Sequence, residues 1–109
     1  MTSDQILHAV DKYELMLSSQ DILPKKADLS AWTTDQGAML AHCLWMCGEI
    51  REILRIPGKE DKAARWLCFI QGVLWSSGLG TIDGFRADNT WQPPVTTLFL
   101  SSLLGSALF

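Results

Sequence analysis

The chain has no run of basic residues. Its nine lysines and arginines are scattered, and a nucleic-acid surface needs a basic face to neutralise phosphates, so no nucleic-acid partner is expected. Charge of either sign is scarce: 19% of residues are charged, the net charge is −3, and a typical domain carries about a quarter. Three cysteines, an odd number, do not make a disulfide framework. With no CxxC and no second histidine near His42, Cys43 and Cys47, a thiolate–imidazole metal site is not expected either. All three cysteines lie in apolar helical pattern, which fits a reducing compartment.

Other absences bear on catalysis and on membranes. The lone GxG at Gly78 to Gly80 lacks the dinucleotide spacing and follows helical pattern instead of a strand. Ser76-Ser77-Gly78 ends a helix, so it is not a nucleophile elbow. The carboxylate pairs Asp83 with Asp88 and Glu49 with Glu52 sit in polar sequence that would not split their pKa values, and they read as solvated faces. The opening "MTSDQILHAV" lacks the basic and apolar regions of a signal peptide. The apolar C-terminal run, Val95 to Phe109, is fifteen residues, short of the about twenty that span a bilayer. No enzyme, cofactor, metal or membrane partner is expected.

Hydrophobic side chains are what the chain has in quantity: 48% of 109 residues, including five tryptophans. That length suits one domain. So many apolar groups with so little charge point to surface covered by another chain, and a homo-oligomer is expected over a monomer.

Periodicity predicts an all-α helical bundle. A first helix spans about 4–19, with Ile6, Leu7, Val10, Tyr13 and Leu17 on one stripe; Thr2 with Gln5 makes its capping box, and Asp4 can pair with His8. Residues Gln20 to Trp32 read as a long connection, with Lys25-Lys26 solvated and Leu29 and Trp32 packed onto the domain. A second helix covers about 34–55, capped by Thr33 with Gln36, its stripe running through Leu40, Cys43, Cys47, Ile50 and Ile53. Pro57-Gly58 stops it, and the short turn makes the third helix, about 59–79, its antiparallel neighbour.

In the third helix Ala63, Trp66, Leu67, Ile70, Val73 and Leu74 form the core face, while Cys68, Phe69, Gly72, Trp75 and Leu79 occupy another arc. A helix apolar round most of its circumference should be central. Asp61 and Arg65 can pair at i,i+4. A short fourth helix, about 81–89, follows a Thr81 cap. The segment 95–109 is apolar nearly all round, which leaves it to be buried in the domain or against another copy, to touch a membrane, or to be disordered.

Candidate binding residues are the polar groups and aromatics that the core does not need. Arg65 and Gln71 are the strongly polar side chains of the third helix beside Phe69 and Trp75; the plainer account pairs Arg65 with Asp61 and gives Gln71 a loop carbonyl. Arg51 and Arg55 at the end of the second helix, with Arg65, would cluster three arginines at one end of the hairpin. Such a cluster can hold a phosphate or a carboxylate-rich surface. Cys43, Cys47 and Cys68 read as core packing, with Cys68 facing the other two.

The stretch "KAARWLCFIQGVLWSSGLGTIDGFRADN", with "MCGEIREI" and "ILHAVDKYELML" upstream, resembles a family of small proteins encoded by tailed bacteriophages and prophages. The motif positions are Lys62, Ala63, Arg65, Trp66, Leu67, Phe69, Gln71, Gly72, Trp75, Asp83, Arg86 and Asn89, and the likeness covers about Ile6 to Asn89. It departs after Asn89, where Trp91 to Phe109 replace the family's short polar ending. The resemblance implies an accessory phage product in the bacterial cytoplasm, with no assigned activity. The expected function is a non-enzymatic protein that binds and modulates a host protein, a defence component being the candidate. The alternative is a small-molecule binder, a sponge for nucleotide signals, with an Arg/Trp pocket between subunits. Candidate binding residues are then Arg51, Arg55, Arg65, Phe69, Gln71, Trp75 and Arg86.

Overall fold

The computed structural model describes residues 1–28 and 30–94 of the chain. Four helices follow in order: α1 (Ser3–Ser18), α2 (Gln36–Leu54), α3 (Glu60–Ser76) and α4 (Ile82–Asn89). The fold is the expected all-α bundle. Leu29, expected to pack onto the domain, and the apolar segment 95–109 lie outside the described residues.

Local chemistry sets the ends of these helices. Thr2 caps α1 in a full capping box: its Oγ1 accepts the Gln5 N–H at 3.2 Å, and Gln5 Oε1 accepts the Thr2 N–H at 2.9 Å. The cap of α2 falls two residues later than expected. Asp35 Oδ1 accepts the Ala38 N–H at 3.1 Å, and Thr33 instead accepts the N–H of Asp35; a carboxylate at that end also meets the positive pole of the helix. Gly58 takes φ 83° after α2, the left-handed backbone that favours glycine. At the end of α3 the Leu79 N–H reaches the Leu74 carbonyl at 2.8 Å and the Gly78 N–H that of Trp75 at 3.1 Å, with Gly78 at φ 74°. This is a Schellman ending. Thr81 Oγ1 caps α4 through the Gly84 N–H at 3.0 Å.

The antiparallel hairpin of α2 and α3 is the spine, and α1 packs on both of its helices. Ile6, Val10 and Leu17 of α1 meet Cys43, Cys47 and Ile50 of α2 and Leu67, Ile70 and Leu74 of α3, all fully buried. Each large aliphatic side chain so buried contributes roughly 1.5–3 kcal/mol. From α4, Phe85 enters the core and meets the Tyr13 ring edge-on at 6.2 Å.

Two pairings expected on the surface take other forms. His8 stacks on Trp91 at 4.1 Å and 5° between ring planes, a larger contact than the Asp4 pairing offers. Asp61 with Arg65 is not among the ion pairs of the described residues; both side chains are exposed, where such a pair gains little. Trp32, expected to order the long connection, is 89% exposed. That connection is tied down elsewhere, by Lys25 N–H to the Ala41 carbonyl and Ala27 N–H to His42 Nδ1, both at 3.1 Å.

Candidate functional site

Gln71 does not face a loop or a ligand. It is 6% exposed, and its amide sits in a polar clasp between three helices. Gln71 Nε2 donates to Tyr13 Oη at 3.0 Å and to Asn89 Oδ1 at 2.7 Å, while Asn89 Nδ2 returns a bond to Gln71 Oε1 at 3.1 Å. Tyr13 Oη donates to Asp88 Oδ2 at 2.7 Å, and Lys12 Nζ to Asp88 Oδ1 at 2.9 Å. Burial and the neighbouring carboxylate hold the Tyr13 phenol well above its ordinary range. Asp88, read from sequence as a solvated carboxylate, is 7% exposed. The clasp fastens α4 to α1 and α3, and every polar group in it has a partner.

The four candidate arginines have separate surroundings. Arg51 is held by Asp11 and Glu14 of α1, with Nε donating to Glu14 Oε1 at 2.8 Å. Arg55 lies 3.7 Å from Glu52 and Arg86 3.6 Å from Asp83, both exposed pairs within one helix. Arg65 is exposed on the outer arc of α3. That arc also carries Cys68, which turns to solvent and away from buried Cys43 and Cys47, contrary to the sequence reading. Phe69 and Trp75 stand 55% and 57% exposed around Gly72, where an added Cβ would touch nothing. So α3 is not a central helix among the described residues. Among the described residues nothing covers its outer face, which carries Phe69 and Trp75.

Phe69 belongs to a further assembly that the sequence reading missed. The His42 ring stacks on Trp45 at 5.3 Å and meets Phe69 edge-on at 6.3 Å; Trp45 lies 6.2 Å from Trp66. With Lys26 and Met46 these residues line an open groove of about 400 Å³ between α2 and α3. Lys26 Nζ sits over the Trp45 ring at 5.3 Å and Lys62 Nζ over Trp66 at 5.9 Å, both within cation–π range. A second notch of about 240 Å³, under Ala27 to Thr33, shares His42 and Phe69. One sequence signal was available: His42 and Trp45 are three apart and both off the apolar stripe of α2, hence on one exposed helix face.

His42 joins the groove to the connection above it. Its Nδ1 accepts the Ala27 N–H, which places the ring proton on Nε2. Burial, then the nearby Lys26 ammonium, lower its pKa from the ordinary 6.5. Because the native value is depressed, the neutral-imidazole bond is fully present above 6.5 and is lost as pH falls through the native value. The Ala27 amide resonance should therefore titrate with a midpoint below 6.5. A midpoint at or above 6.5 would remove His42 from this role.

No family model matches the chain, and neither does any curated protein or solved structure. Among the described residues no group of three or more His, Cys, Asp or Glu side chains could hold a metal, and no helix is long and apolar enough to cross a membrane.

Proposed function

We propose that this is a non-enzymatic binding protein that docks on another protein through the aromatic face of α2 and α3. One observation carries the reading: among the described residues the groove of His42, Trp45, Trp66 and Phe69 is open on a body whose core already closes beneath it. Aromatic side chains in a concave, partly desolvated surface are what protein interfaces use as anchors. The buried core beneath α2 and α3 supports this face.

The motif resemblance supplies the setting. It supports a phage accessory factor acting in the bacterial cytoplasm, which binds and modulates a host protein, a defence component being the candidate. A second copy of the chain is the other protein such a face can meet. The nucleotide-signal reading is weaker, because Arg51 and Arg55 already face carboxylates.

The test compares the tagged protein with its Trp45→Ser/Phe69→Ser double mutant at matching helical content, each used to capture host proteins. The wild-type chain is expected to retain one partner in near-stoichiometric amount and the double mutant at least about tenfold less. Equal capture by the two proteins, or capture by neither, overturns the reading.

A further inference from the structure

The chemistry of the groove narrows what it can hold. Its lining comprises Lys26, His42, Trp45, Met46, Trp66 and Phe69. Lysine and the two indoles can only donate hydrogen bonds. The one strong side-chain acceptor, His42 Nδ1, is used by the Ala27 N–H, which leaves Nε2–H as a fourth donor. Beyond the weakly accepting Met46 thioether, the side chains of this groove therefore offer donors and flat apolar surface.

The nearby carboxylates have other hydrogen-bond partners or line other notches. Asp28 Oδ1 accepts both the N–H and the Oγ–H of Ser30, at 2.9 and 2.7 Å. Glu14 is held by Arg51, and Glu49 lies with it in a separate notch that shares only Trp45 with the groove. Lys26 and Lys62 stand over the two indole rings. The charged side chains placed over these two rings are thus both cations, although the chain carries a net −3.

Resting on the docking role proposed above, we infer that the groove takes an acidic segment of a partner protein, with an aromatic side chain as its anchor and Asp or Glu beside it. The ring stacks among His42, Trp45 and Phe69. The adjacent carboxylate meets Lys26 or Lys62 and accepts from the indole and imidazole N–H groups. A basic segment is disfavoured twice: its ammonium or guanidinium meets two lysines, and its donors find no strong side-chain acceptor. The groove, about 400 Å³, is in the range of small-ligand pockets and has room for such a side chain.

The experiment selects a displayed library of random heptapeptides on the full-length protein and sequences what is retained. Enriched peptides are expected to place Phe, Tyr or Trp within two residues of Asp or Glu. The surface double mutant Lys26→Glu/Lys62→Glu should move enrichment toward Lys and Arg, and Trp45→Ala should lower it at least about tenfold. Aromatic peptides retained with neutral or basic flanks, or a preference unmoved by the lysine reversal, overturn the acidic-segment inference while the docking face stands. Enrichment no higher than that of Trp45→Ala overturns both.

Discussion

Replacing Asp88 by alanine is expected to lower the melting temperature by more than about 10 °C. The substitution leaves the Tyr13 hydroxyl, buried and fixed by Gln71, without an acceptor. A buried group stripped of a charged hydrogen-bond partner costs about 3 kcal/mol, and each kcal/mol shifts a domain of this size by roughly 4–8 °C. The ion pair with Lys12 is the smaller part, because the Lys12 side chain is 55% exposed and solvent screens it. Lys12→Ala should thus cost under about 1 kcal/mol. Tyr13→Phe alone leaves the Asp88 carboxylate short of a donor, whereas Tyr13→Phe with Asp88→Leu removes both ends and should be less damaging than the two single changes added together. Equal losses from Lys12→Ala and Asp88→Ala in thermal melts would show that the surface pair, not the phenol, carries the clasp.

Alkaline pH is expected to destabilise the chain steeply from about pH 9 upward. Burial pushes the Cys43 and Cys47 thiols from 9.0 up to about 12, and Tyr13 is raised above its ordinary 10.0. These are native values above unfolded ones. The unfolded chain releases its protons first, so stability is complete below about pH 9 and falls as pH rises. The slope is about 1.4 kcal/mol per pH unit for each group, so two thiols between pH 9 and 11 cost on the order of 5 kcal/mol, a large share of an ordinary domain's stability. The check is denaturant unfolding across about pH 8 to 11 under reducing conditions. In Cys43→Ala/Cys47→Ala the chain starts less stable, but its dependence on pH should flatten by about two protons. An unchanged slope would show that the thiols do not set it.

Local chemistry was legible in the sequence. The α1 capping box, the glycine stop after α2, the Thr81 cap and the apolar stripes of α1 and α2 depend on residues a few positions apart, and the structure shows each of them. Placing the α2 cap at Thr33 instead of Asp35 was a contest between neighbouring cap-forming residues. Gln71 and Asp88 were misread for a different reason. Their partner Tyr13 lies 58 and 75 residues away in the chain, and no periodicity announces which polar group a buried phenol will meet. The groove is a case between the two. Trp66 belongs to a stripe that sequence assigns wholly to the core, but the rotation of α3 against α2 leaves part of it facing Trp45. Helix rotation of that kind is decided by side-chain interdigitation, which pattern alone does not encode.

The uneven placement of the thiols has a practical side. Cys43 and Cys47 are sealed in the core and held protonated, while Cys68 stands in solvent on α3 next to Phe69. Alkylating reagents attack thiolates that they can reach. At neutral pH a maleimide dye should therefore attach at Cys68 ahead of the two buried thiols, and the emission of that dye would register whatever settles on the α3 face. The same exposure is a hazard in air. Two molecules can couple sulfur to sulfur through Cys68, and a covalent dimer formed that way records oxidation of a surface thiol, not a native interface.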